Sequence, residues 1–332
     1  MASMASFELI CPAGTPAALS AAVEAGGDAI YVGFRDETNA RNFPGLNFSR
    51  QEFRQAATFV HTHGRKLYAA INTYPTAGNP GPWQRAIDDA AQLGADAIIL
   101  ADIGLLNYAN HRYPNLRRHL SVQASVSNPE TLAFYQKEFG IQRAVLPRVL
   151  TISDIGRINN SLKIETEVFV FGGMCPMAEG RCSLSSYITG RSPNRHGVCS
   201  PASHVRYESK DGLLLSRLGE FTINIFDDHE SAGYPTLCKG RFKTDQCQPS
   251  YLFEEPTSLN ALALLPDLKA AGVKALKIEG RQRGRAYIAD VVRACRQAIS
   301  DFDKGLPVNA AALNDITEGG KQTTGAYNRS WR

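Results

Sequence analysis

Residues 67–100 read LYAAINTYPTAGNPGPWQRAIDDAAQLGADAIIL, and they contain one complete unit of the pattern that decides the fold. Residues 67–71 and 97–100 are short apolar runs, and residues 83–93 between them have the composition of a helix. Short apolar runs without clean alternation are typical of strands that are covered on both faces. The stretch therefore predicts a strand, a helix and a second strand parallel to the first.

The same unit recurs on both sides of this stretch. Strands are predicted at 7–10, 29–32, 67–71, 97–100, 120–122, 144–146, 168–171 and 273–278. The helices are predicted at 16–25, 50–63, 83–93, 104–112, 129–139, 152–159, 259–271 and 286–300. Eight such units predict an α/β protein with a closed (β/α)8 TIM-like barrel, and an open doubly wound sheet is the alternative.

A segment of different texture, residues 172–256, separates the seventh and eighth predicted strands and is rich in Gly, Ser, Pro and Cys. It divides the chain into barrel units one to seven (7–171), a cysteine-bearing insertion (172–256), the last barrel unit (257–305) and a C-terminal tail (306–332). The insertion leaves a barrel strand at its C-terminal end, the face on which barrel enzymes carry their active sites. The tail is expected to fold back over this face, because it carries Tyr327 and Trp331.

Composition narrows the classes of function. The 332 residues are 43% apolar and 20% charged, which is typical of a globular protein. No apolar run approaches the roughly 18–20 residues needed to span a bilayer, and no secretory signal is evident, so a cytoplasmic location is predicted. The apolar runs predict no membrane span. The formal charge is +4 and the basic residues are dispersed, so direct nucleic-acid binding is not expected.

The cysteines carry the strongest chemical signal. There are seven, at positions 11, 175, 182, 199, 238, 247 and 295, and an odd number without an export signal favours free thiols or metal ligands over disulfides. Cys175, Cys182, Cys199 and Cys238 fall in the insertion with the spacing C-x6-C-x16-C-x38-C. Four thiolates can hold a zinc ion or an iron–sulfur cluster, and the spacing alone does not choose between them. Buried cysteines without a ligand role are the other interpretation.

A peptidase is a weaker alternative. His196 and His204 flank Cys199, so a cysteine–histidine pair is conceivable there. The sequence has no H-E-x-x-H or G-x-S-x-G motif, and a Cys199 nucleophile would leave the other three cysteines unexplained.

Several stretches identify a family resemblance. Residues 167–185, EVFVFGGMCPMAEGRCSLS, resemble the signature of the collagenase-like peptidases, with Gly173 where the family usually has Ser or Ala. The resemblance covers nearly the whole chain and includes CPAG (11–14), TNAR (38–41), AAINT (69–73), SVQAS (121–125), LPRVL (146–150), YPTLCKGR (234–241), EPTSLN (255–260) and KIEGR (277–281). Within the family, the chain is most similar to the ubiquinone-biosynthesis branch.

The resemblance implies a [4Fe–4S] cluster on Cys175, Cys182, Cys199 and Cys238. It also implies a heterodimer with a paralogue, UbiV, and a lipid-binding accessory protein of the ubiquinone pathway. The pair would hydroxylate the aromatic ring of a quinone precursor without dioxygen, with prephenate as the oxygen donor. Related members hydroxylate RNA bases, which is the alternative function. A structural or electron-transfer role for the cluster, in support of UbiV, also stays open.

Five polar residues complete the candidate site, because each follows a predicted strand at its C-terminal end. They are Asn72, Gln123, Arg148, Glu279 and Arg281. Prephenate is a dianion, and guanidinium groups bind carboxylates in bidentate fashion, so Arg148 and Arg281 are the expected anion contacts. Asn72 and Gln123 are expected to orient a ligand. Glu279 is expected to transfer a proton or to form a structural ion pair with Arg281.

Overall fold

The structure is a computed structural model that describes residues 7–193, 197–245 and 247–329. Its centre is a sheet of eight parallel strands: β1 (Glu8–Pro12), β2 (Ala29–Val32), β3 (Lys66–Ile71), β4 (Ala97–Leu100), β5 (Arg117–Leu120), β6 (Arg143–Val145), β7 (Glu165–Gly173) and β14 (Ala275–Ile278). The eighth barrel strand, β14, pairs in parallel with both β1 and β7, so the sheet is closed. The predicted (β/α)8 barrel is confirmed, and the open sheet is excluded.

Helices follow the strands and cover the barrel. They are α1 (Pro16–Glu24), α2 (Arg50–Thr62), α3 (Gly81–Gln92), α4 (Ile103–Arg112), α5 (Pro129–Phe139), α6 (Ile152–Ser161), α8 (Leu265–Ala270) and α9 (Arg285–Asp303). Local sequence sets several of their ends. In α2, Ser49 and Glu52 form a reciprocal capping box, which satisfies two backbone amides at the start of the helix. At the end of α5, Gly140 adopts the left-handed conformation that closes many helices.

One predicted element is wrong. Residues 259–271 form a short strand, β13 (Ser258–Asn260), then a 3-10 turn and the six-residue α8, rather than one helix. The cause is the length of β7, which extends beyond the barrel and offers a free edge. Ser258 and Leu259 pair with Gly173 and Gly172 on that edge in antiparallel fashion. A tertiary contact therefore overrides the helical pattern of the sequence.

A second difference concerns the strand predicted at residues 120–122, which spans Arg117–Leu120 and so begins at Arg117. The Nη2 atom of Arg117 lies 2.7 Å from Glu165 Oε2 at the N-terminal end of the barrel.

The insertion follows β7 and contains α7 (Leu184–Thr189). Its antiparallel sheet consists of β8 (Val205–Lys210), β9 (Leu213–Leu218) and β10 (Phe221–Phe226). A two-stranded ribbon follows, formed by β11 (Arg241–Thr244) and β12 (Cys247–Tyr251).

The C-terminal tail crosses back to the barrel. Its strand β15 (Gln322–Thr323) pairs with β13, and the buried Tyr327 donates its hydroxyl to Phe169 O at 2.7 Å. Trp331 lies outside the described residues. Across the helices of the described ranges, none has the length and apolar character required to traverse a lipid bilayer.

The N-terminal end of the barrel interior holds a network of charges around Arg143. Its guanidinium pairs with Glu8, with Glu165 at 2.7 Å and with Glu167 at 3.3 Å. His119 lies in the same region and is 0% exposed. Neither ring nitrogen of His119 has a hydrogen-bond partner among the described residues, and its ring packs edge-on against Tyr68 at 4.8 Å.

This environment predicts a pH dependence of stability. Burial, with Arg143 and Arg117, lowers the pKa of His119 well below 6.5. The folded protein keeps His119 neutral, whereas the unfolded chain takes up a proton below about pH 6.5. The stability is therefore fully present above that pH and is lost as the pH falls, by about 1.4 kcal/mol per pH unit. We expect His119→Phe to remove this part of the slope, as measured by urea unfolding between about pH 7.5 and about pH 5.

The matched control is His111→Asn, because His111 is exposed at the end of α4. This variant should keep the wild-type slope. An unchanged slope in His119→Phe would contradict the assignment.

Candidate active site

A cavity of about 90 Å³ opens among the C-terminal ends of the barrel strands. All five polar residues expected there line it: Asn72, Gln123, Arg148, Glu279 and Arg281. The remaining lining residues are Tyr31, Ala40, Arg41, Ala70, Ile99, Ser121, Val122, Val145, Phe169, Glu179 and Lys277. Carboxyl ends of parallel strands meet at one face, so residues far apart in sequence converge there.

Four of these lining residues have chemistry that was not expected at the site: Tyr31, Arg41, Glu179 and Lys277. Arg41 and Glu179 lie in loops, where periodicity gives no information. Lys277 interrupts the apolar strand β14, and its Nζ lies 2.6 Å from Glu167 Oε1. The presence of a lysine within an otherwise apolar strand is the one sequence signal that could have identified Lys277 as a residue of the site.

Glu279 forms its ion pairs with Arg41 and Arg148, and not with Arg281. Its Oε1 lies 3.2 Å from Arg41 Nη2, and its Oε2 lies 3.4 Å from Arg148 Nη2. The amide of Gly173 donates to the same Oε2 at 3.0 Å. Burial raises the pKa of Glu279, but Arg148 and Arg41 outweigh it, so the net shift is downward. A carboxylate with both oxygens occupied is suited to positioning the two arginines rather than to proton transfer.

Arg148 already has two carboxylate partners within the protein, Glu179 and Glu279, so it is less available to a bound anion than predicted. Its Nη1 lies 2.5 Å from Glu179 Oε1, and its guanidinium stacks over Phe169 at 3.7 Å from the ring centroid. Burial works against the charge, but Glu179 and Glu279 raise the pKa of Arg148, so it stays a cation. Its Nε is buried and has no hydrogen-bond partner among the residues described.

Arg281 is the cation most available to a ligand. It is 5% exposed, its Nη1 donates to Asn39 Oδ1 at 3.2 Å, and it forms no ion pair with a carboxylate of the described chain. Burial lowers the pKa of Arg281 to about 10, with a further contribution from Arg41. A buried guanidinium without a carboxylate partner is stabilised by a bound anion.

Asn72 acts on the loop that carries Arg41. Its Oδ1 accepts a hydrogen bond from the amide of Ala40 at 3.0 Å, which fixes the backbone next to Arg41. Asn72 thus positions the loop of Arg41, and its predicted role in orienting a ligand stays a prediction.

Three buried polar atoms of the cavity residues lack partners within the described ranges: Gln123 Oε1, Arg148 Nε and Glu179 Oε2. Burial raises the pKa of Glu179, although Arg148 and nearby backbone amides oppose this effect. Those amides do not reach Oε2 with hydrogen-bond geometry. Unpaired buried polar atoms are costly, and three in one cavity indicate a place for a ligand.

The four cysteines that are candidate ligands lie in loops near this cavity. Cys175 comes two residues after β7, Cys182 shortly precedes α7, and Cys238 lies in the 3-10 turn Leu237–Lys239. Cys199 comes two residues after Gly197.

Two glycines bring these loops onto the barrel. A Cβ on Gly180 would meet Gln123 O at 2.1 Å, and one on Gly197 would meet Ala40 O at 1.4 Å. Both glycines also have positive φ, so only glycine is suited to either position.

The cysteines affect one another electrostatically. Burial is the main cause that raises the pKa of Cys238 to about 12, and Cys199 is the second cause. Burial, Glu179 and Cys199 raise the pKa of Cys175, and burial and Cys182 raise that of Cys199. Cys199 is thus within electrostatic range of the other three thiols. Thiols placed this close lose their protons together only when a metal ion or cluster binds them and shares their charge.

The donor set fits a thiolate-bound group, although the loops are not closed around one. In residues 7–193, 197–245 and 247–329, no three His, Cys, Asp or Glu side chains are arranged to hold a metal ion. Cys175, Cys182, Cys199 and Cys238 are partly exposed, and Arg41, Arg148 and Lys239 lower the pKa of individual thiols among them. A group held by all four would have to draw their loops together.

The other cysteines are placed differently. Cys11 and Cys295 are buried in the barrel wall, in β1 and α9, and neither lines the cavity. The side chain of Cys247 is outside the described part of the structure.

A peptidase pair around Cys199 receives no support. After burial, the groups that most affect its pKa are Arg41, Cys182, Glu279 and Lys239, and none is a histidine. His204 Nδ1 instead lies 3.0 Å from Ser203 Oγ. His196 falls outside the described residues.

The model of the family "Peptidase family U32" matches residues 14–329. The chain belongs to this family. The expected resemblance to the collagenase-like peptidases is therefore confirmed at the level of the family.

Among curated proteins, "tRNA hydroxylation protein P" of Escherichia coli (strain K12) is 30% identical over 327 residues, which are 93% of this chain and 71% of that protein. The "23S rRNA 5-hydroxycytidine C2501 synthase" of the same organism is 28% identical over 298 residues, which are 88% of this chain and 39% of that protein. Among solved structures, the ribulose-1,5-bisphosphate carboxylase/oxygenase of Pyrococcus horikoshii OT3 aligns with a TM-score of 0.51 at 12% identity, over 95% of this chain and 66% of that one. This likeness concerns the barrel fold alone.

Proposed function

We propose that this U32 family member is an oxygen-independent hydroxylase of a planar ring and carries a [4Fe–4S] cluster on Cys175, Cys182, Cys199 and Cys238. The observation that carries the proposal is that the loops of four cysteines pack on a polar cavity at the C-terminal face of a barrel, with Cys199 in electrostatic range of the other three thiols. The hydroxylation proteins among the relatives support the type of reaction. When bound, the cluster would supply one-electron transfer at a potential set by its surroundings.

The residues of the chain bind and orient the reactants. Arg281, with no carboxylate partner among the described residues, is suited to an anionic oxygen donor, for which we propose prephenate. Arg41 pairs with Glu279, follows the backbone that Asn72 fixes, and lowers the pKa of Cys199 by its charge. Positive charge at this place offsets the repulsion between an anionic donor and a cluster of thiolates.

Two rings are candidates for the substrate. An RNA base is better supported, because the curated relatives are named for hydroxylation of tRNA and for synthesis of a hydroxycytidine in rRNA. A ubiquinone precursor is the second candidate, because the motifs at 167–185, 234–241 and 277–281 resemble those of UbiU. In that case the chain would work with UbiV and a lipid-binding accessory protein, in the cytoplasm. The dispersed basic residues favour this second ring.

The test is an anaerobic hydroxylation assay with two substrate arms. Unmodified tRNA and rRNA fragments form one arm, and a quinone precursor with UbiV and the accessory protein forms the other. Prephenate is supplied and then withheld in each. Product that depends on prephenate in one arm identifies the ring. Product that forms without prephenate would contradict prephenate as the oxygen donor. If no product formed in either arm, the proposal of a hydroxylase would be contradicted.

A further inference from the structure

We infer that Gln123, Arg148 and Glu179 form a subsite that recognises an uncharged polar group of the ring substrate, one that both donates and accepts a hydrogen bond. A ring hydroxyl or the imide edge of a pyrimidine has this chemistry. The inference rests on the proposed function, and it specifies how the ring is held. It begins from the three unpartnered atoms of the cavity: Gln123 Oε1, Arg148 Nε and Glu179 Oε2.

The three atoms describe the group that satisfies them. Arg148 Nε carries one hydrogen and can only donate, so it requires an acceptor. Glu179 Oε2 accepts when the carboxyl is ionised, and its other oxygen is occupied by Arg148. The amide oxygen of Gln123 accepts as well. The matching group therefore has at least one acceptor and one donor.

A carboxylate does not match this pattern. It offers acceptors only, so Glu179 Oε2 and Gln123 Oε1 would remain unpaired beside it. It would also place a second negative charge next to Glu179, in a buried place. An apolar ring edge would leave all three atoms unsatisfied, which is costly in a buried site.

The subsite is built into the fold. Glu179 is 9% exposed and Arg148 is 6% exposed, and the two are joined by a 2.5 Å ion pair. Ser125 Oγ donates to the carbonyl of Glu179 at 2.7 Å, and Gly180 packs on Gln123. Because Ser125 and Gly180 hold the neighbouring stretches of backbone together, the side chains of Gln123 and Glu179 keep a fixed relation.

The cavity is lined from two groups of strands, which Glu279 joins through its ion pairs with Arg41 and Arg148. Arg281 contacts Asn39, which follows β2, whereas Gln123 and Arg148 follow β5 and β6. The strand order places β14, β1 and β2 on one side of the barrel and β5 and β6 on another. One side thus offers a cation for an anion, and the other offers paired donors and acceptors for a neutral group.

The test uses binding of small probes to the full chain, followed by ligand-observed NMR. Phenol and uridine carry the donor, and anisole and 3-methyluridine are the same rings with the donor methylated. We expect the donor-bearing member of at least one pair to bind about tenfold or more tightly than its methylated partner. Binding of uridine alone points to an RNA base, and binding of phenol alone points to a quinone precursor. Equal binding within both pairs, or binding of benzoate in preference to phenol and uridine, would overturn the inference.

Variants then assign the effect to the subsite. Glu179→Gln should abolish the preference for the donor-bearing probe, whereas Glu255→Gln, at an exposed ion pair with Lys321, should preserve it. A preference that survives in a folded Glu179→Gln protein would count against Glu179. If that variant does not fold, the comparison of methylated and unmethylated probes on the wild type decides alone. These measurements need no turnover, so they stand apart from failure of the hydroxylation assay.

Discussion

Replacement of Cys238 by Ala is expected to remove most of the iron from protein purified without oxygen. Wild-type protein should contain about four irons per chain and absorb broadly near about 400 nm, as thiolate-bound clusters do. Loss of one thiolate leaves an incomplete site in which the remaining cysteines no longer share their charge with the cluster. Cys175→Ala, Cys182→Ala and Cys199→Ala should behave alike, and hydroxylation should fall with the iron. Iron analysis and absorption spectra of the four variants provide the measurement.

The matched control is Cys295→Ala, because Cys295 is buried in α9 and does not line the cavity. It should cost stability through a small packing defect while leaving the iron content unchanged. Cys247→Ala should also keep its iron. Stoichiometric zinc in the anaerobic wild type, with no iron, would refute the cluster.

Arg281→Ala is expected to keep full iron content and to weaken binding of the anionic donor by about tenfold to a hundredfold. The reason is that a charge-assisted hydrogen bond contributes about 1.5–3 kcal/mol, and Arg281 has no carboxylate partner in the described chain to compete for it. The measurement is the dependence of product formation on prephenate concentration. The loss should appear mainly in the donor KM, with the iron unchanged.

Arg148→Ala is a less informative variant than Arg281→Ala, although both arginines were expected to contact the donor. Without the Arg148 guanidinium, Glu179 loses its ion-pair partner and Glu279 keeps only Arg41, so the protein itself would be destabilised. Arg117→Ala is the better control. Its partly exposed ion pair with Glu165 lies at the opposite end of the barrel and is worth less than about 1 kcal/mol. If Arg281→Ala formed product with the same dependence on prephenate concentration as the wild type, a role of Arg281 in binding the donor would be contradicted.

The sequence predicted the barrel because each strand is a short apolar run and each connection is helical. The residues that follow the strands could then be named, and Asn72, Gln123, Arg148, Glu279 and Arg281 do line one cavity. This inference needs only the direction of parallel strands, which is a local property.

Partners could not be predicted in the same way. Glu279 contacts Arg41, which is 238 positions away in sequence, and not the nearby Arg281. Glu179 enters the cavity because the cysteine loop packs on Gln123, and no periodicity describes a loop. The helix predicted at 259–271 failed for a related reason, since the free edge of β7 captured Ser258 and Leu259.

The C-terminal tail has a consequence for the order of events during synthesis. Glu318 Oε2 lies 2.5 Å from Lys239 Nζ, next to Cys238, and Tyr327 closes over Phe169. The barrel itself needs β14 before β1 and β7 can meet. Residues near 320 must therefore leave the ribosome before the neighbourhood of Cys238 is complete. A nascent chain still held at those residues has its thiols made but not yet enclosed, so the site is completed only once residues near 320 have emerged.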